Sequence, residues 1–149
     1  MPPLRAAAQA TTSAPPETVF ALLRQGSTWP GWIDVDSMTL ESEGEQGGES
    51  VGAVRAFRFH RVGIPLTTRE RVVELIPNRR FSYVLVSGLP LKDFRADVDL
   101  SPTHDGGTLI TWSAGWRTGV PGTGLITKAM FARLYRRFAT GLAQRAASL

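Results

Sequence analysis

Between residues 37 and 118 the chain passes through six successive segments in which apolar and polar residues alternate with a period of two. They cover residues 37–44, 53–62, 65–76, 79–87, 93–101 and 108–118, and each reads as a β-strand. The breaks are Gly47-Gly48, Gly63, Pro77-Asn78, Gly88-Leu89-Pro90 and Asp105-Gly106-Gly107. Most of these are short connections built from turn residues, so an antiparallel meander is the economical topology.

The flanks differ. Residues 4–13 mix small and β-branched residues and supply a further strand. Ala14-Pro15-Pro16-Glu17 is a helix entry, with proline in the first turn and an acid at its positive end. Val19, Phe20, Leu22 and Leu23 give that short helix an apolar stripe, and Gly26 ends it. Thr28-Trp29-Pro30-Gly31-Trp32 is too broken for more than a turn of helix. After the last strand, the elbow Gly119-Val120-Pro121-Gly122 leads into residues 122–147, which contain no proline and form one helix. Ile126, Met130, Leu134, Phe138 and Leu142 are expected to be its apolar face. A sheet of about seven strands that is apolar on one face must cover it, and only this helix is long enough.

A chain of 149 residues is expected to be a single domain with an ordinary globular balance, 42% hydrophobic and 20% charged. It contains no cysteine, so thiolate chemistry and disulfides are excluded. The opening residues lack a strongly apolar core and read as mature sequence, and no apolar run approaches the ~20 residues of a membrane span. The expected location is cytoplasmic, with no integral membrane segment. A formal charge of +4 raises nucleic acid as a partner. The basic residues are scattered, however, and the clusters Arg79-Arg80 and Arg133, Arg136, Arg137 lack interleaved stacking aromatics, so none is expected.

Several stretches resemble the START-like (SRPBCC, birch-pollen-allergen-like) superfamily, in its polyketide cyclase/dehydrase-like branch. They are SAPPETVFALL with WPGW, GESVGAVRAF, TRERVVELIPNRRFSYVLVSGLP, DGGTLITW and PGTGLITKAMFARLYRRFATGLAQ, in that order along the chain. The resemblance implies an α+β helix-grip fold: a curved antiparallel sheet of about seven strands wraps the long C-terminal helix, with two short helices after the first strand. It also implies a cavity for a lipid, polyketide or aromatic metabolite. Some members catalyse cyclisation, aromatisation or dehydration, and fold alone does not choose among these.

Alternation assigns the faces. Phe94, Ala96, Val98 and Leu100 share one face, opposite Arg95, Asp97 and Asp99. Ile110, Trp112, Ala114 and Trp116 point inward by the same rule, as do Phe81, Tyr83 and Leu85, and Phe57 with Phe59. Each residue alone fits a packed core. Together, aromatic strand faces converge on a helix bearing Met130, Leu134 and Phe138, which is what an apolar ligand requires. Trp32 is expected to join them.

Catalytic constellations are scarce. His60 and His104 lack partners at ligand spacing, so no metal is expected, and no cofactor motif is present. Asp97 and Asp99 point away from the cavity. Arg55 has the parity of Phe57. In residues 68–76 either Glu70 faces inward with Val72, or Arg69 and Arg71 do with Val73 and Leu75; one inward carboxylate costs less than two guanidiniums, which favours Glu70. Arg55 and Glu70 are therefore expected to face the cavity and pair with each other or with ligand oxygens. The arginine is expected to push the glutamate toward its ionised form. The reading adopted is a domain that binds a small hydrophobic ligand; the alternative is a cyclase, aromatase or dehydratase, and the lesser one a basic module for nucleic acid or anionic membrane.

Overall fold

The computed structural model describes residues 3–61 and 64–149. The expected break at Gly63 and the neighbouring Val62 lie outside them. In chain order the elements are β1 (Leu4–Thr12), α1 (Pro16–Arg24), a 3-10 helix (Gly26–Gly31), β2 (Ser37–Ser42), β3 (Val54–Arg61) and β4 (Ile64–Ile76). β5 (Arg80–Ser87), β6 (Leu91–Pro102), β7 (Thr108–Thr118) and α2 (Gly124–Ala147) follow. The strands form one sheet ordered β1-β7-β6-β5-β4-β3-β2, antiparallel throughout. β2 to β7 make the meander, and the excursion through α1 lets β1 close the far edge beside β7. α2, about 36 Å long at 1.5 Å per residue, lies against β1 and β7 and touches α1. This is the helix-grip arrangement.

Where strands run regularly, parity holds. Phe94, Ala96, Val98 and Leu100 are buried on β6, as are Ile110, Trp112, Ala114 and Trp116 on β7. On the opposite face Arg80 meets Asp99 at 2.7 Å, and Arg95 meets Glu74 at 2.8 Å and Asp97 at 3.1 Å. On β4 the alternative with Glu70 and Val72 inward holds, and of the other set only Leu75 turns to the core. Thr68, Glu70 and Val72 follow the inward parity of their partners Phe57, Arg55 and Tyr83. The register then shifts between Val72 and Glu74, and Leu75 comes opposite Phe81 and packs on the core. The extra residue, Val73, is a β-bulge, which reverses parity and bends the strand.

Three boundaries differ from expectation. β2 ends at Ser42, before the turn around Gly47-Gly48, whose φ values are 83° and 53°. β6 begins earlier, at Leu91. α2 starts at Gly124, not Gly122, because Gly122 is left-handed (φ 83°) and Thr123 Oγ1 donates to Val120 O at 2.6 Å, holding the turn.

The larger correction concerns the face of α2. Leu142 and Phe138 are buried, but Ile126 is 68% and Met130 48% exposed. Residues four apart advance 40° around a 3.6-residue helix, so a strict four-residue stripe drifts well off the core over four steps. The buried line is instead Phe131, Tyr135, Phe138, Leu142 and Ala146, which mixes steps of three and four. Lower down, α2 comes close to the 3-10 helix: a Cβ on Gly141 would sit 2.1 Å from Trp32 O, so only glycine fits.

Candidate ligand cavity

The two ends of the gap between sheet and α2 are filled differently. At one end the 3-10 helix and the residue that caps it insert Trp29 and Trp32. The Trp29 ring lies 4.9 Å from Trp32, 5.1 Å from Phe57 and 5.6 Å from Trp112, and Trp112 contacts Phe138 at 5.2 Å between centroids. Polar handles are satisfied there: Trp29 Nε1 donates to Leu23 O (3.0 Å) and Trp32 Nε1 to Thr28 Oγ1 (3.2 Å).

At the other end no element is inserted, and a cavity of about 210 Å³ remains. β3 and β4 supply Phe59, Leu66, Thr68 and Glu70; β5 and the turn after it supply Tyr83, Leu85 and Leu89; β6 supplies Phe94. The opposite wall is α2, through Met130, Phe131, Leu134, Tyr135 and Phe138. Leu66 (39% exposed) and Met130 form part of its rim.

The expected lining residues thus divide into two groups. Phe59, Glu70, Tyr83, Leu85, Phe94, Met130, Leu134 and Phe138 border the cavity. Trp32, Phe57 and Trp112 are buried in the packed end instead, where Trp29 and Trp32 fill the space between sheet and helix, and Ala96, Val98 and Trp116 are buried elsewhere in the core. Trp116 packs at a tilt against Phe131, centroids 4.7 Å apart, and donates to Thr127 Oγ1 at 3.1 Å. Sequence reasoning missed Leu66, Thr68, Leu89, Phe131 and Tyr135. The first two carry Glu70's own parity, and the last two sit on the three-four stripe of α2.

Arg55 is 2% exposed and does not border this cavity. Its Nη1 donates to Leu23 O at 3.0 Å and its Nη2 to Arg24 O, so it caps the negative end of α1. Its Nε lies 2.9 Å from Glu49 Oε1, close enough for an ion pair although the N–H is not aimed as a hydrogen bond. The guanidinium is 4.9 Å from the centre of the Phe81 ring and 5.6 Å from that of Trp29. Glu49 in turn accepts from Gly26 N at 2.9 Å. The expected Arg55–Glu70 pair is therefore a longer-range attraction between cross-strand neighbours, with Glu49 as the direct partner.

Glu70 separates the cavity from a tight seam around Arg55 that has no room for water. Burial pushes its carboxyl up from 4.5 to about 8, and the attraction of Arg55 offsets this only in part. The expectation that the arginine would hold it ionised is overturned: desolvation wins. Burial also raises the Tyr83 and Tyr135 hydroxyls well above their ordinary range, and the charge of Glu70 adds to both shifts. Trp112 Nε1 donates to Tyr83 Oη at 3.2 Å. An apolar cavity with one small polar end can hold a molecule of the same polarity, and its carboxyl, near neutral in pKa, can exchange a proton. Among the described residues no group of three or more His, Asp or Glu could hold a metal, and no helix is long and apolar enough to cross a membrane.

The fold is shared widely. The chain is similar to a START superfamily protein from Mycobacterium smegmatis, with a TM-score of 0.82 at 14% identity over 97% of each chain. It is similar to the protein XoxI from Bacillus cereus, with a TM-score of 0.75 at 19% identity over 95% of this chain and 94% of that one. Ara h 8.0201 gives a TM-score of 0.77 at 15% identity over 99% of this chain and 100% of that one. At such identities the likeness is one of fold. No curated protein matches the sequence. The family model described as polyketide cyclase / dehydrase and lipid transport matches residues 3–147, and with that span covered the chain belongs to this family.

Proposed function

We propose that this protein binds a small apolar molecule in the cavity between β3–β6 and α2. The observation that carries the reading is the cavity of about 210 Å³, walled by aliphatic and aromatic side chains and bordered by one carboxyl and two tyrosines. An engineered apolar cavity of about 150 Å³ takes benzene, so this one, at about 210 Å³, suits a substituted single ring, a small fused pair of rings or a short chain. It lies below the ~300 Å³ at which drug-sized sites begin, so the ligand is small. Titration with 2-methoxynaphthalene, a neutral fluorescent ring, is expected to saturate at one site per chain. Leu85→Trp, which fills the cavity from β5, is expected to abolish that binding while the circular dichroism spectrum is kept. Absence of saturable binding, or binding indifferent to Leu85→Trp, removes the reading.

A second reading is supported by Glu70 alone. General acid–base catalysis is most effective when the catalytic pKa lies near the working pH, and a carboxyl near 8 beside a substrate cavity meets that condition. In this reading the protein cyclises or dehydrates a polyketide-like substrate. Glu70→Gln would then stop turnover and leave binding intact.

A further inference from the structure

We propose that Glu70, Tyr83 and Tyr135 form an uncharged, hydrogen-bond-donating seat for the ligand's polar end. The cavity on this view selects small neutral molecules bearing a ketone, ester or phenol oxygen and rejects their carboxylate counterparts. The inference rests on the ligand-binding reading above and specifies its chemistry.

Hydrogen-bond accounting gives the first support. The Trp112 indole can only donate, and it donates to Tyr83 Oη. Tyr135 is the electrostatic neighbour of Tyr83. Two phenols hold two protons, and at most one of them can be used between the pair. One phenolic O–H is left over at the cavity wall, and it calls for an acceptor.

The second support is what the site lacks. Among the described residues no lysine, arginine or histidine borders the cavity. Arg55, behind Glu70, is occupied by the Leu23 and Arg24 carbonyls and by Glu49. A carboxylate ligand would therefore be buried beside Glu70 with no counter-ion of its own, and two carboxyls sharing one site cannot both ionise cheaply. A neutral acceptor meets no such obstacle. It can receive the spare phenolic proton and the proton of an un-ionised Glu70, while its apolar body lies against Phe94, Leu134 and Leu85.

The third support is the direction in which the site biases Glu70. Burial favours its neutral, proton-donating form up to about pH 8. The groups facing it are Arg55 from β3, Tyr83 from β5 and Tyr135 from α2, with Glu49 behind Arg55. Arginine keeps its charge throughout, and both tyrosines are raised, so between pH 6.5 and 9.5 Glu70 is the member of this cluster that titrates.

The experiment compares three single-ring probes with one tail by calorimetry at pH 6.5: butylbenzene, 4-butylacetophenone and 4-butylbenzoate. The ketone is expected to bind about tenfold or more tighter than the benzoate. Raising the pH to 9.5 is expected to weaken the ketone about tenfold and leave butylbenzene within about twofold. Glu70→Gln keeps a donor at the same place, so it is expected to retain ketone binding and lose the pH dependence. Tyr135→Phe is expected to weaken the ketone and spare the hydrocarbon. Benzoate binding as tightly as the ketone overturns the proposal, as does a pH dependence that survives Glu70→Gln. If none of the three probes binds, the cavity reading itself falls; if butylbenzene binds without ketone preference, only the neutral seat does.

Discussion

The two ends of the grip are built from the same parts and reach opposite results. Both are bounded by inward aromatic residues of the meander on one side and by α2 on the other. At the closed end Trp29 from the 3-10 helix and Trp32 from its C-terminal cap complete a continuous aromatic cluster with Phe57, Trp112 and Phe138. At the open end nothing is inserted, and Leu66, Leu85, Leu89 and Met130 face one another across empty space. The difference lies in the loop between β1 and β2, which packs one half, and not in the hydrophobicity of the strands. The cavity is the place into which no loop inserts an aromatic side chain.

The sharpest way to break that contrast is at the closed end. Trp112 is fully buried and contacts Trp29, Tyr135 and Phe138. Trp112→Ala is expected to cost about 3–5 kcal/mol in urea unfolding, as truncation of large buried aromatics does. A loss under about 1 kcal/mol would mean that this end is as loosely filled as the other.

Glu70 sits on the border between the ends and tests how dry that border is. Its native pKa is about 8 against 4.5 when exposed. The folded state therefore holds its proton more tightly than the unfolded state does. Stability from this group is full below pH 4.5, declines as the pH rises, and is lost above about 8. A shift of that size corresponds to nearly 5 kcal/mol at 1.36 kcal/mol per unit. Water in the open cavity screens part of it, so about 2–3 kcal/mol is expected. Glu70→Gln removes the ionisation. It should match the parent near pH 4 and exceed its stability by that amount at pH 9. Equal stabilities at both pH values would place the carboxyl in bulk-like solvent.

What the sequence revealed follows the same division. β6 and β7 pair in register over their lengths from Arg95 and Gly115 onward, so simple alternation assigned every inward residue there. β4 defeated it because a bulge at Val73 reverses parity midway, and no residue type announces a bulge in a Val-Val-Glu-Leu run. The α2 stripe was misread in its first turns because a four-residue repeat drifts off a straight face. Arg55 was placed on the correct face, but its partner Glu49 comes from an irregular loop that carries no period. The sign of the Glu70 shift depends on whether burial or Arg55 is stronger. That contest is decided by depth, which one-dimensional pattern does not encode.

The smallest expected effect is at the rim. Met130 and Phe138 lie on one helix about two turns apart, and both border the cavity. Phe138 is also wedged against Trp112, whereas Met130 is 48% exposed. Met130→Ala removes a flexible side chain with few buried contacts, so stability should change by less than about 1 kcal/mol. It should widen the mouth and weaken 2-methoxynaphthalene binding a few-fold, chiefly through faster release, since the chain walls one side of the bound ring. A loss above about 2 kcal/mol would show that the rim is core. The open end would then be closed in solution by movement of α2, and the contrast between the two ends would vanish.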